Sequence, residues 1–246
     1  MRRLIEIPVG ATVEVEVLSY EENEFLLKDL GITSRLMPAQ APVAKNITGE
    51  IPFVINNQVY NRDRFYGKPL ASAEIIGFMR GTRMARLDIS PVEYNPVTGT
   101  IRVYDNVVVN ITFRGGDYTA TQLLQDKTRS PYFSNLNSTM LNKLPVGSGM
   151  RENFSRYPVK YVIVSDPMFH DALQPLIDWK TRKGFTMVEA YTNQPDVGNT
   201  TSSIKSYLQG LYNAGTPEDP APTFVLFVGD VAQIPAYSQG GHSSDL

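Results

Sequence analysis

The residue types that could carry out chemistry are few in this sequence. The chain contains no cysteine and two histidines, His170 and His242. The lack of cysteine excludes disulfides, thiolate metal sites and a cysteine nucleophile within these 246 residues. Nucleophilic catalysis also needs a base beside the nucleophile, and these residue types offer no evident pair. We therefore expect that any chemistry associated with this protein is not completed within this chain.

Both histidines and one aspartate remain as candidates for a site. His242 lies in the run Gly-Gly-His-Ser-Ser-Asp, but a catalytic triad is recognised by geometry and not by adjacency. His170 has no second ligand three or four residues along the chain, which favours a surface or helix-capping role. Asp230 follows an apolar run, so it either contributes to a ligand site at a sheet edge or stabilises a turn.

The composition is typical of a folded protein of one or two domains. Of the 246 residues, 42% are hydrophobic and 20% are charged, unlike a disordered chain. The net charge of -2 includes no basic stripe, so we expect no nucleic-acid partner. No window approaches ~18 consecutive apolar residues, and the N-terminus lacks the features of a secretory signal. We expect no membrane span, and we expect that any export signal has been removed.

The first half is predicted to form short β-strands separated by turns. Residues 12–17 alternate between valine and polar residues, which places the valines on one buried face. Further strands are expected at 83–89, 101–104 and 107–113, with a hairpin turn at 94–99 and a break at Asp105-Asn106. Strands at this spacing favour a β-sandwich.

The second half is predicted to be an α/β layer with a mainly parallel sheet. The apolar run 161–164 is typical of a strand buried on both faces. Helices and strands then alternate, with a helix over 166–183, a strand at 186–191, a helix at 202–213 and a strand at 223–228. In the second helix, Ile204, Leu208, Leu211 and Tyr212 are expected on the buried face. Residues 115–158, rich in glycine and basic residues, are expected to form an exposed linker that proteases can cut.

Short motifs occur in both halves in a distinctive order. The second half contains Ala-Leu-Gln-Pro at 172–175, Asp-Trp-Lys at 178–180, Lys-Gly-Phe at 183–185, Val-Gly-Asp at 228–230 and Ser-Asp-Leu at 244–246. The first half contains Ile-Pro-Phe-Val at 51–54, Val-Tyr-Asn at 59–61 and Tyr-Asn-Pro-Val-Thr-Gly at 94–99. From about Leu36 onward, the chain resembles precursors of the gingipain family of cysteine peptidases, with the greater likeness to its lysine-specific members.

The resemblance implies a division into two domains. Residues 1–150 would be a β-rich pro-domain that includes the exposed linker at about 115–150, and 151–246 would begin a caspase-like αβα catalytic subdomain. In that family the catalytic histidine and cysteine lie further along the chain. The parent protein would therefore be a cysteine endopeptidase that cleaves after lysine or arginine, whereas this chain would be inactive by itself.

The resemblance also implies an inhibitory residue. Gingipain pro-domains keep the precursor latent by placing a basic residue of an extended loop in the specificity pocket. In the arginine-specific relatives that residue follows a proline by seven positions and precedes an Ile-Pro-aromatic strand. Here this register runs from Pro38 to Lys45 and then to 51–53, so Lys45 is the expected plug. Without the family, the interpretation would be an ordinary solvated lysine.

Processing, location and partners follow from the same resemblance. The expected cleavage site is Arg151, with Lys143 as the alternative. The expected partner is the catalytic subdomain of the same peptidase, and the mature enzyme would act on protein substrates after secretion or at the bacterial surface. Calcium is expected from the family alone, and no ligand cluster for a metal is evident. The alternative function is a non-catalytic, sortase-like component of the surface or secretion machinery.

Overall fold

The computed structural model describes residues 1–43, 49–133, 139–145 and 158–237. Three residues singled out above, Lys45, Arg151 and His242, lie outside these ranges. The chain divides into two compact units. The first comprises Met1–Ile5, Thr12–Ile76 and Ala85–Gly115, and the second comprises Glu6–Ala11, Gly77–Met84 and the chain from Gly116 onward.

The described residues form β-strands in the first half and alternating strands and helices in the second. The strands are β1 (Arg2–Glu6), β2 (Thr12–Leu26), β3 (Ala71–Met79), β4 (Thr82–Ile89), β5 (Val92–Asn95), β6 (Thr100–Arg114), β7 (Val159–Ser165), β8 (Phe185–Tyr191) and β9 (Phe224–Val228). The helices are α1 (Asn57–Tyr60), α2 (Tyr118–Lys127), α3 (His170–Arg182) and α4 (Thr201–Asn213), with 3-10 turns at Leu27–Leu30 and Pro167–Phe169. This order confirms a β-rich part followed by an α/β part.

The first unit is built around the long antiparallel pair of β2 and β6. Val13, Val15 and Val17 of β2 lie opposite Phe113, Ile111 and Val109 of β6. These valines are half-buried and the intervening glutamates are exposed, which confirms the predicted alternation. Strand β5 adds to the other side of β6, so the sheet order is β2-β6-β5.

Strands β1, β4 and β3 form another three-stranded sheet in the order β1-β4-β3.

The predicted break at Asp105-Asn106 is wrong, because β6 runs through it as one strand. The register of the pair shifts here, from Ser19 opposite Val108 to Glu21 opposite Asp105. The additional residue on β6 is accommodated as a bulge, and Asn106 has a φ of 51°. Asparagine tolerates this left-handed conformation better than most residues, so the strand bends without ending.

The hairpin at 94–99 is confirmed, but its first strand is β5 and not residues 83–89. Tyr94 lies opposite Ile101, and Asn95 lies opposite Thr100. The Asn95 side chain closes the turn by accepting the N–H of Val97 at 3.1 Å. Strand β4 instead lies between β1 and β3, and the chain passes from this sheet to the sheet of β5 at residues 90–91.

The second unit contains the predicted parallel sheet, in the order β8-β7-β9. One face of the central strand β7 packs on α4 through Val162, Val164 and Ile204. Its other face packs on α3 through Ile163 and Ile177. A strand covered by helices on both faces must be apolar at successive positions, which is why the run at 161–164 predicted it correctly. Among the described residues, no helix is long and apolar enough to cross a membrane.

The apolar face of α4 differs from the prediction at one residue. Leu208 and Leu211 pack against the buried cluster as expected, and so does Tyr207. Tyr212 instead lies more than a third exposed, with the ammonium of Lys127 4.3 Å from its ring centroid. A cation over the face of an aromatic ring stabilises this partly exposed position.

The prediction of an exposed linker over residues 115–158 is contradicted at Tyr118–Lys127, where the structure has the helix α2. Helix α2 begins at an N-cap, where the Asp117 carboxylate accepts the N–H of Ala120 at 2.8 Å. Thr121 of this helix is buried, and its hydroxyl accepts the N–H of Val9 at 2.9 Å. Polar sequence favoured a linker, but buried hydroxyls with hydrogen-bond partners allow a polar helix to pack.

Candidate functional site

The side chain of Gln40 closes a loop that spans residues 41–53. Its Oε1 accepts the backbone N–H of Val54 at 2.9 Å, and its Nε2 donates to the carbonyl oxygen of Val54 at 3.1 Å. The same Nε2 lies 3.1 Å from the carbonyl oxygen of Pro38. One amide thus pairs with both polar groups of a backbone residue, as a neighbouring strand would do. The expected plug, Lys45, belongs to this loop but lies outside the described residues.

The chain before the loop is attached to the rest of the first unit. Arg35 donates from Nη2 to the carbonyl oxygen of Tyr60 at 2.9 Å and from Nε to that of Pro96 at 3.1 Å. The buried Tyr60 in turn donates from its hydroxyl to the carbonyl oxygen of Leu36 at 2.9 Å. These bonds connect the start of the loop to the end of α1 and to the β5–β6 turn.

The chain after the loop is attached as well. Asn56, two residues beyond Val54, caps α1 by accepting the N–H groups of Gln58 and Val59. The described chain on both sides of the loop is therefore held by hydrogen bonds.

The loop and its flanks expose large apolar side chains. These are Leu36, Met37, Val43, Ile51, Phe53 and Val54, with Val54 68% exposed. Single exposed apolar residues are ordinary on protein surfaces, but a run of them in one segment is typical of a binding surface. The segment therefore combines a closed base with apolar flanks.

Asp230 stabilises a turn at the carboxyl end of β9. Its carboxylate accepts the N–H of Val231 at 2.6 Å, and its own N–H donates to Oε1 of Gln233 at 2.9 Å. Gly229, just before it, has a φ of 139°, which a residue with a side chain rarely adopts. Of the two interpretations left open by the sequence, the structure supports the turn.

His170 lies at the start of α3 with its side chain about half exposed. Its Nδ1 is 2.8 Å from the carboxylate of Asp171, and its ring centroid is 5.5 Å from that of Tyr191. The predicted surface position is confirmed. Within the ranges that the structure describes, no group of three or more His, Cys, Asp or Glu could hold a metal ion.

Tyr191 and Glu189 form a polar pair at the end of β8. The tyrosine hydroxyl donates to Oε2 of Glu189 at 2.6 Å. Burial raises the pKa of Tyr191 well above its usual value, and the hydrogen bond to Glu189 raises it further. The phenol therefore stays protonated at neutral pH and acts as a structural donor.

Matches to family models divide the chain into two regions. Residues 1–138 match the model Propeptide_C25, and residues 155–246 match Peptidase family C25. The chain belongs to the C25 peptidase family. The interval between the two C25 regions contains the predicted boundary near residue 150.

Curated relatives agree with the C25 assignment. Lys-gingipain of Porphyromonas gingivalis (strain ATCC 33277) is 38% identical over 235 residues, which cover 95% of this chain and 14% of the relative. Gingipain R2 of Porphyromonas gingivalis (strain ATCC BAA-308 / W83) is 25% identical over 256 residues, covering all of this chain and 32% of the relative. The resemblance to gingipain precursors is thus confirmed, and this chain spans less than a third of the length of either relative.

Two solved structures of proteins from Porphyromonas gingivalis are also similar. One concerns the zymogenic latency of gingipain K, with 38% identity, a TM-score of 0.44, and coverage of 47% of this chain and 64% of the other. The second is a complex of the pro- and mature domains of RgpB, with 24% identity, a TM-score of 0.42, and coverage of 58% and 69%. Both scores are too low to establish a shared fold.

The predicted site residues of this C25 chain are thus only partly placed. The alternative processing residue Lys143 is described and exposed, whereas the expected processing residue Arg151 and the plug Lys45 are not described. Gln40 was missed by sequence reasoning. Neither its neighbours nor any periodicity indicates that a glutamine would pair with a backbone residue 14 positions away.

Proposed function

We propose that this chain is the propeptide and the first part of the catalytic region of a cysteine endopeptidase precursor that cleaves after lysine or arginine. The observation that carries the proposal is the succession of a propeptide match over 1–138 and a peptidase match over 155–246 in one chain. We further propose that the propeptide keeps the enzyme latent by placing Lys45 in its specificity pocket. The mature enzyme would be secreted or held at the cell surface.

Lysine chemistry supports the inhibitory role. An ammonium on a long apolar stem can reach a carboxylate at the base of a narrow pocket, while its methylenes pack on the walls. A lysine at this position favours a lysine-preferring enzyme, in agreement with the name of Lys-gingipain.

The described ends of the loop support the same role. Gln40 closes the loop before any partner binds, and Pro42 and Pro52 restrict its backbone further. A segment that is already restricted loses less conformational entropy on docking. Its exposed apolar flanks supply surface that the catalytic domain would cover.

The finer architecture and the cofactors belong to this proposal too. We propose a β-sandwich for the pro-domain and a caspase-like arrangement for the catalytic part, on the family resemblance. The expected processing residues are Arg151 and Lys143. Calcium is proposed for the parent peptidase on the same ground, with no ligands assigned in this chain.

Inhibition of a mature peptidase tests the proposed function. We expect the 246-residue chain to inhibit a mature lysine-specific C25 peptidase in a saturable manner, and to inhibit an arginine-specific one far less. Hydrolysis of a chromogenic lysine substrate, titrated with the chain, gives the inhibition constant. If the chain inhibits neither peptidase at micromolar concentration, the proposal is contradicted and the non-catalytic alternative is favoured.

Replacing Gln40 by alanine should weaken this inhibition about 3- to 10-fold, because the lost hydrogen bonds leave the loop less ordered before it docks. Gln40 is exposed, so the free energy of unfolding should stay nearly unchanged. The measurement is the inhibition constant of Gln40→Ala in the presence and in the absence of Lys45→Ala. A loss of the same size in both backgrounds would show that Gln40 does not act through Lys45.

A further inference from the structure

Glu6, the last residue of β1, holds the segment that carries Lys143. The backbone N–H of Glu6 donates to Oδ1 of Asn142 at 2.8 Å, and Nδ2 of Asn142 donates to the carbonyl oxygen of Glu6 at 2.9 Å. The carboxylate of Glu6 accepts the N–H of Leu144 at 3.1 Å through Oε2. All three bonds lie within the second unit and join residues more than 130 positions apart.

The Glu6 carboxylate, which accepts the N–H of Leu144, is almost completely enclosed. Glu6 is 4% exposed, and its other oxygen, Oε1, accepts a hydrogen bond from Nε2 of Gln125 in α2. Hydrogen bonds to a buried charged group are stronger than those between neutral groups. Removing such a bond from an enclosed carboxylate lowers the stability of the folded state. The segment around Leu144 is therefore held in place by a strong hydrogen bond to the Glu6 carboxylate.

The hydrogen bond from Leu144 to Glu6 involves the peptide bond that follows Lys143. Its N–H, that of Leu144, is engaged by Glu6, and the Leu144 side chain is 8% exposed. The Lys143 side chain itself is exposed. A peptidase binds its substrate as an extended strand whose backbone groups are free to pair with the enzyme. The Lys143 side chain is thus accessible to a peptidase, whereas the backbone N–H of the peptide bond after it is not free to pair with the enzyme.

We propose that Glu6 and Asn142 form a latch that closes the Lys143–Leu144 bond to lysine-directed proteolysis in the folded protein. Cleavage there requires the latch to open first, so its rate follows the population of the open form. A role for the latch in maturation rests on the proposed function. Because the latch protects the bond after Lys143, processing would begin in the chain beyond residue 145. Lys143 then becomes a site that is cut only after the latch has opened.

Limited proteolysis with an unrelated lysine-specific endoproteinase tests the latch. The rate at the Lys143–Leu144 bond is measured by mass spectrometry in the folded 246-residue chain and in a synthetic peptide of residues 139–147. We expect the folded chain to be cut at this bond at least about 100-fold more slowly than the peptide, since local opening precedes cleavage. A rate within threefold of the peptide would overturn the proposal.

Two latch variants provide the direct comparison. Glu6→Gln keeps the size of the side chain but leaves one acceptor oxygen for two donors, and Asn142→Ala removes the amide. Each should raise the cleavage rate at this bond about 10- to 100-fold, because Glu6→Gln weakens hydrogen bonds to a carboxylate and Asn142→Ala removes two hydrogen bonds between neutral groups. If one variant fails to fold, as judged by circular dichroism, the other supplies the test. Unchanged rates would overturn the proposal.

Two controls separate the latch from general destabilisation. Gln122→Ala removes a half-buried amide of α2 that pairs with Asp126 and not with Glu6. Val188→Ala weakens the packing of the parallel sheet. Both should raise the rate less than threefold, and an increase equal to that of the latch variants would show that the protection is global. Because this endoproteinase is unrelated to the parent enzyme, the result does not depend on whether the chain inhibits a C25 peptidase.

Discussion

Replacing Lys45 by alanine is expected to weaken inhibition of a mature lysine-specific C25 peptidase by this chain roughly 30- to 3,000-fold. Truncating one member of a desolvated charge pair costs about 2–5 kcal/mol, and each 1.4 kcal/mol corresponds to a tenfold change in affinity. If Lys45 occupies the pocket as proposed, most of that cost would arise because a pocket carboxylate is left enclosed without a cation. The measurement is the inhibition constant of Lys45→Ala beside that of the unchanged chain.

Two further variants make this result specific. Lys28→Ala removes another exposed lysine of the propeptide region, from the 3-10 turn after β2, and should leave the inhibition constant unchanged. Lys45→Arg should shift inhibition towards an arginine-specific C25 peptidase, since the planar guanidinium requires a different carboxylate geometry. Equal inhibition by Lys45→Ala and by the unchanged chain would show that Lys45 does not occupy the pocket, whatever the fate of the broader proposal.

Replacing Gly81 by alanine is expected to lower the free energy of unfolding by about 3 kcal/mol or more, because backbone strain and overpacking each cost about 1–3 kcal/mol. Gly81 connects β3 to β4 with a φ of +79°, and a Cβ there would lie 2.1 Å from Oγ1 of Thr128 and 2.8 Å from the carbonyl oxygen of Leu124. The clash involves the backbone of α2, which cannot move aside as a flexible side chain could. Urea unfolding followed by circular dichroism measures the loss.

Gly31→Ala is the matched control for this variant. Its φ of +77° is nearly the same, but no atom lies within 4 Å of the added Cβ. It should cost only the strain of a left-handed residue, about 1 kcal/mol. Equal losses for Gly31→Ala and Gly81→Ala would contradict the close packing of α2 against the β3–β4 turn, and with it the structural role of residues 118–128.

The α/β half of the fold was largely predictable because its signals are local. The apolar run of β7, the periodic apolar residues of α3 and the capping residues at Asp166 and Thr200 each lie within one element. A strand covered on both faces and a helix covered on one have patterns that neighbouring residues display directly. For this reason the α/β half matched the prediction in the type and the order of its elements.

Helix α2 was missed for the opposite reason. Its sequence, Tyr-Thr-Ala-Thr-Gln-Leu-Leu-Gln-Asp-Lys, is polar overall and lies between glycine-rich segments, which favours a linker. It packs through hydroxyls such as those of Thr121 and Thr128, whose partners Val9 and Arg80 are far away in the sequence. Propensity is a weak guide wherever tertiary hydrogen bonds decide the outcome.

The family, the order of a β-rich half and an α/β half, and the elements whose periodicity reflects burial could be inferred from the residues alone. The polar side chains that hold distant segments together could be identified only in the folded chain: Gln40 binds Val54, and Glu6 binds Asn142 and Leu144. The physical reason is that a hydrogen bond between remote residues needs one donor and one acceptor in the right place and no repeated pattern. Such contacts leave no trace in the neighbouring sequence, although they close the loop expected to confer latency and protect a bond expected to be cut.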